Sequence, residues 1–232
     1  RAPLGDSATA VFNITVSLEE NPMGDDDWQA DAGTSDDAQN KYENKIKEFA
    51  DAVYQSTNGA HRVGRVTIFR NRVQFNNADV QWNNNCGGKG PSTWINGFGN
   101  KNIQIRMCNL WTGSSTMDTA KGGGFTLAHE WGHYAYGLFD EYKPGGAPSC
   151  ESNTPSNCAI YQPVSTDTKV APSIMSDQWD AASGTDLDTL EFSTNDIEPY
   201  KTDAKGNDSN AQARVFEEAG WKTLVRDPAK DP

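Results

Sequence analysis

Residues 127–142 read LAHEWGHYAYGLFDEY and hold two histidines four positions apart, His129 and His133, with Glu130 beside the first. On a helix, residues i and i+4 share one face about a turn apart. Two imidazoles so placed can grip one metal ion, and Glu130 then stands next to whatever water the ion holds. This is the H-E-x-x-H arrangement of zinc peptidases, in which the glutamate is the general base. Five residues match such a pattern by chance often enough that the surrounding sequence has to carry the argument.

A catalytic zinc takes three protein ligands and keeps a fourth position open for water. The chain has 3 histidines, and His61 lies far upstream of the other two. The third ligand is therefore expected to be a carboxylate. Gly137 can turn the chain out of the helix, because glycine accepts positive φ. Asp140 and Glu141 follow it. In the metzincin pattern, H-E-x-x-H-x-x-G-x-x-H, the last ligand comes three residues after the glycine. Here the glycine is one residue late and the last position is Asp140, but the step of three is kept, which favours Asp140 over Glu141. A methionine turn follows the ligands in that pattern. Residues 171–176, APSIMS, offer Pro172 for the bend and Met175 for the floor of the site. The competing reading is that Met175 packs in an ordinary core.

HEWGHYAYGLFDEY closely resembles the H-E-x-x-H-x-x-x-G-x-x-D-E pattern of the CLCA family, the calcium-activated chloride channel regulators and their bacterial relatives. The resemblance covers the motif and the residues just after it, together with the methionine turn. It accounts for the late glycine and the Asp140-Glu141-Tyr142 ending. It implies a zinc metallopeptidase domain, self-processing in some animal members. By position, His129, His133 and Asp140 correspond to zinc ligands and Glu130 to the catalytic base. The expected activity is that of a secreted zinc-dependent endopeptidase acting on a protein or peptide substrate. Two alternatives stay open: a non-catalytic, metal-stabilised binding or regulatory module, and a zinc hydrolase acting on a non-peptide amide or ester.

The elements that must position these residues are legible in the hydrophobic pattern. Residues 10–18 alternate, with Phe12, Ile14, Val16 and Leu18 on one side, as in a half-buried strand. This makes the sequon at Asn13 a coincidence, whereas a second one stands at Asn207. Residues 36–57 carry Ala38, Tyr42, Ile46, Phe49 and Val53 at helical spacing, with Ser35 as cap and Asn58-Gly59 as stop. Strands are expected at 65–70, with Val66 and Ile68 inward, around Ala78, Val80 and Trp82, and at 103–107. Residues 83–99, rich in Asn and Gly, read as a loop. Residues 121–124, KGGG, lack any P-loop context and read as a flexible entry to the zinc helix, with Thr126 near its cap. Trp131, Tyr134 and Tyr136 are expected to pack, and Tyr142 to bury its ring. A helix start is expected at Phe192 and a final helix over residues 209–225.

Strand, helix, three strands and the zinc helix predict an α/β (α+β) layer with a twisted sheet. The order resembles the upper lobe of metzincin peptidases. That likeness implies a mixed sheet with two long helices in an upper lobe, about 1–137. A smaller irregular and helical lower lobe, about 138–226, and a linker-like end, 227–232, would complete one catalytic domain. An edge strand beside the cleft of such a fold can pair with an extended substrate, and residues 78–102 are the candidate rim.

The chain has 232 residues and a net charge of -12, which disfavours nucleic acid and anionic membranes, since both require basic surface. No apolar run approaches the roughly 18 residues of a membrane span. The acidity favours bound cations, and calcium is a candidate at Asp25–Asp27 and around Asp186, Asp188 and Glu191. Four cysteines allow three pairings. An even count in a polar, acidic chain predicts disulfides and an oxidising compartment. The preferred pairs are Cys86 with Cys108 and Cys150 with Cys158. The start at Arg1, without a signal peptide, suggests a mature or excised fragment of a longer parent chain with further domains.

Overall fold

The computed structural model describes residues 10–21, 38–87, 90–110, 119–141, 173–175, 178, 190–192, 211–216 and 218–225. Eight elements lie among them: β1 (Ala10–Leu18), α1 (Ala38–Ser56), β2 (His61–Phe69), β3 (Val80–Asn85), β4 (Ile105–Leu110), α2 (Ala120–Tyr136), α3 (Ala211–Phe216) and α4 (Gly220–Val225). The chain divides into two compact units, residues 1–135 and 136–232.

The first unit is α/β. Its four strands run in the order β2-β1-β3-β4. β1 is central, parallel to β2 on one side and to β3 on the other, and β4 continues parallel to β3. The expected mixed sheet is thus parallel in its four strands. The β1–α1–β2 connection explains the first pair, because a helix-length crossover is what lets consecutive strands run parallel. Antiparallel pairing among the described residues is confined to an isolated bridge, Ser92 with Arg106, beside β4.

β1 alternates as a half-buried strand at its start, with Val11 and Asn13 exposed, and departs from that reading only at its end. Ile14, Val16 and Leu18 are buried as expected, but so is Ser17. Its hydroxyl donates to the Val73 carbonyl at 2.7 Å. Thr15 turns to the same polar side and donates from both its N–H and its hydroxyl to one oxygen of Asp79, at 2.7 and 2.8 Å. β2 starts earlier than the sequence suggested, at His61, and a register shift lies opposite Phe12 and Ile14. Being an edge strand, it leaves Ile68 exposed rather than inward.

β3 extends into the Asn run that read as loop. Asn83 pairs with Cys108, and its side-chain amide donates to the Met107 carbonyl at 3.1 Å. Ladder hydrogen bonds here outweigh the poor strand propensity of asparagine. Because β3 has a partner on each side, residues 80–85 are no rim. Only the segment after them, 90–102, runs outside the sheet edge. Cys86 and Cys108 form the expected disulfide, joining the end of β3 to β4. Cys150 and Cys158 lie outside the described residues. So do Ser35, Asp25–Asp27, Tyr142, Asp186, Asp188, Asn207, the helix expected after Phe192 and the terminal stretch.

α1 turns Tyr42, Ile46, Phe49 and Val53 inward. It stops at Asn58 and Gly59, both left-handed, with φ of 51° and 80°. The Gly59 N–H donates back to the Tyr54 carbonyl at 2.7 Å. This αL ending satisfies last-turn carbonyls that have no partner inside the helix.

In the second unit, the expected final helix is two short ones, α3 and α4, with Glu218 and Ala219 between them. The Gln212 side-chain amide, rather than a continuing helix, meets the Glu218 carbonyl, at 3.2 Å.

Candidate metal centre

The helix that carries the histidines begins before the glycines. Thr119 caps it: its hydroxyl accepts the Gly122 N–H at 2.9 Å, and its carbonyl accepts the Gly123 N–H at 3.0 Å. Gly122, Gly123 and Gly124 are therefore buried helix interior and not a flexible entry. Their bareness lets two helices touch. A Cβ on Gly124 would stand 2.5 Å from Glu48 Cβ and 2.7 Å from the Lys45 carbonyl oxygen, and one on Gly123 would strike the Lys45 stem at 2.5 Å. Thr126 lies inside the helix, where its hydroxyl donates to the Gly122 carbonyl at 2.7 Å, so it is not a cap.

Aromatic packing fixes the helix rotation. Trp131 is fully buried, with Phe12, Phe49 and Phe98 edge-on to it at centroid distances of 5.3, 5.7 and 5.5 Å. Tyr134 is buried too, and its hydroxyl donates to Asp79 at 3.0 Å. Burial, then the Asp79 charge, holds this phenol above its ordinary pKa, so it remains a donor. These rings pack, as the sequence suggested. Tyr136 is half-buried, edge-on to Phe192.

The last turn of α2 has orphan carbonyls, and the loop before β4 supplies donors. The Asn96 N–H donates to the His133 carbonyl and the Phe98 N–H to the Tyr134 carbonyl, each at 3.0 Å. Gly97 between them has no room for a side chain, since a Cβ would lie 2.3 Å from the Tyr134 ring. No local pattern marks this role, because only tertiary contact brings the loop to the helix.

Among the described residues, one group can hold a metal ion: His129, His133 and Asp140, one ligand atom from each lying within 4.8 Å of the others. The imidazoles stand edge to face, 4.8 Å between centroids and 87° between planes. His129 is buried, while His133 and Asp140 are half-buried. Zinc bonds of about 2.0–2.2 Å require these atoms to close up further. Two imidazoles with a carboxylate suit zinc and its neighbours among the divalent transition metals, while calcium and magnesium favour oxygen alone. The donor set therefore fits a transition metal. Glu130 is buried between the histidines in sequence.

Asp140 reaches this group because α2 ends at Gly137, with φ of 69°. The following residues belong to the second unit and are bonded within it. Phe139 N–H donates to the Gln212 side-chain oxygen at 2.9 Å, and the Asp140 carbonyl accepts the Gln212 N–H at 3.1 Å. Glu141 is buried with both oxygens engaged: one accepts the Gly220 N–H at 2.6 Å, the other the Ser173 hydroxyl. Its own N–H donates to the Met175 carbonyl at 2.9 Å. Met175 is fully buried in a turn, and its N–H is capped by the Ser173 hydroxyl at 3.0 Å. The turn that holds Met175 is thus tied to the residue next to Asp140. The sequence did not single out Ser173, Gln212 or Gly220, since no local spacing links them to residues 139–141.

Comparison of the chain with protein-family models returns no match, and comparison with curated proteins returns none either.

Proposed function

We propose that the chain is a zinc-dependent endopeptidase of the CLCA type on a metzincin-like fold. The observation that supports it is the joining of His129, His133 and Asp140 into one ligand group on and just beyond the helix that carries Glu130. When bound there, zinc supplies a bound water of pKa near 7 and a Lewis acid for the scissile carbonyl. Glu130 accepts the proton of the attacking water and hands it to the leaving amine as the peptide bond breaks. His129 and His133 present their ring nitrogens as neutral ligands, with the helix spacing fixing their separation. Met175 provides an apolar floor and moves no proton. The substrate class that this reading implies is a protein or peptide.

The Cys86–Cys108 disulfide suits an oxidising, extracellular setting. No helix among the described residues is long and apolar enough to cross a membrane.

Glu130→Gln tests the reading. It keeps the shape and should retain Zn2+, yet cut casein cleavage by about 100- to 10,000-fold, the usual worth of a general base. Cleavage at the wild-type rate would remove Glu130 from the mechanism. A wild-type chain that binds Zn2+ but cleaves neither casein nor itself would favour a binding module instead.

A further inference from the structure

We propose that Gln212, on α3, is a positioning residue that holds Asp140 in place for the metal. The inference rests on the reading that His129, His133 and Asp140 form a zinc site. Past Gly137 the chain has left the helix, so the backbone of residues 139–140 needs partners outside it. Gln212 supplies two. Its side-chain oxygen accepts the Phe139 N–H at 2.9 Å, and its own N–H donates to the Asp140 carbonyl at 3.1 Å. The two bonds bracket the Asp140 amide plane and fix where its side chain starts.

The glutamine is itself locked. It is fully buried, and its amide nitrogen donates to the Thr223 hydroxyl at 2.8 Å and the Glu218 carbonyl at 3.2 Å. A carbonyl only accepts, so the nitrogen must face Glu218 and the oxygen must face Phe139. The glutamine thus meets a donor on one side and acceptors on the other, with its orientation set by the Glu218 carbonyl and by Thr223 of α4. Groups that orient a metal ligand set affinity, because they order the ligand before the ion arrives. The far end of the sequence thereby bears on a site whose other residues lie between 129 and 140.

The test is Zn2+ competition against a chromophoric chelator, using the full chain. Gln212→Met fills similar space without side-chain hydrogen bonds. It should weaken Zn2+ binding by about 10–100-fold, the usual cost of losing an outer-shell partner, and alter the visible absorption of the Co2+-loaded protein. Gln212→Glu keeps an acceptor for Phe139 but loses the donor that faces Glu218, so it too should bind Zn2+ more weakly than wild type. Wild-type affinity and an unchanged Co2+ spectrum in Gln212→Met would overturn the proposal while leaving the zinc reading intact. A wild-type chain that takes up no Zn2+ would overturn the zinc reading, and this proposal with it. Should Gln212→Met not fold, amide exchange in the wild-type protein decides. Linkage is reciprocal, so Zn2+ should slow exchange at the Phe139 and Gln212 amides; unchanged exchange on loading would refute the clasp.

Discussion

Of the two carboxylates that follow Gly137, Asp140 joins the histidines and Glu141 faces the Gly220 N–H and the Ser173 hydroxyl. The three-residue step from the glycine favoured Asp140, and the structure shows what occupies its neighbour. His129 and His133 were legible because a helix converts a spacing of four into proximity. The anchoring of Glu141 was not, because Ser173 and Gly220 are brought in by tertiary folding alone. His61, the remaining histidine, has no place in the group. It is half-buried at the start of β2, edge-on to Phe12 at 5.5 Å. Desolvation lowers its pKa from the ordinary 6.5. The unfolded chain then takes up the proton more readily, so this contribution to stability is complete above pH 6.5 and is lost as pH falls towards the folded value. Urea unfolding of wild type and His61→Gln across this range should show the wild type losing its advantage on acidification. A stability difference independent of pH would refute the assignment.

At the scale of elements, β1 and α1 could be read from periodicity and α2 from the spacing of its histidines, whereas the start of α2 and the end of β3 could not. Both errors came from treating Gly and Asn as loop formers when packing had overridden propensity. Gly124 gives the sharper test. Alanine in an ordinary helix interior is favoured over glycine by about 1 kcal/mol. Here the added Cβ would meet Glu48 Cβ at 2.5 Å, the Lys45 carbonyl oxygen at 2.7 Å and the Phe49 nitrogen at 2.8 Å. Two of these are backbone atoms of α1 and cannot swing aside, and overpacking of this kind costs about 1–3 kcal/mol. Gly124→Ala should therefore lower the urea midpoint. A raised midpoint would mean that α1 and α2 are not in contact there. The split of the expected final helix into α3 and α4 shows the same limit, because Ala213, Phe216 and Leu224 suit a continuous helix and only the Gln212 contacts mark the break.

Across the whole molecule, the order of helix and strands carried the α/β class and the even cysteine count the disulfide, but not the strand directions, of which the α1 crossover accounts for the β1–β2 pair. The Cys86–Cys108 bridge spans a sequence separation of 22. Closing a loop of that length removes enough unfolded-state entropy to stabilise by about 3 kcal/mol. A Cys86→Ala, Cys108→Ala double variant should lose about that much in urea unfolding. An unchanged midpoint would show that the bridge constrains nothing. A net charge of -12 adds a second molecular property, since a negative field draws divalent cations towards the surface.

The central claim is that one divalent cation is held by His129, His133 and Asp140, and Zn2+ titration of wild type and Asp140→Ala, read by a competing chromophoric chelator, tests it most directly. Wild type should take up one equivalent of Zn2+, and Asp140→Ala should bind far more weakly while remaining folded. Equal affinity in the two proteins, or no stoichiometric uptake by wild type, would contradict the account.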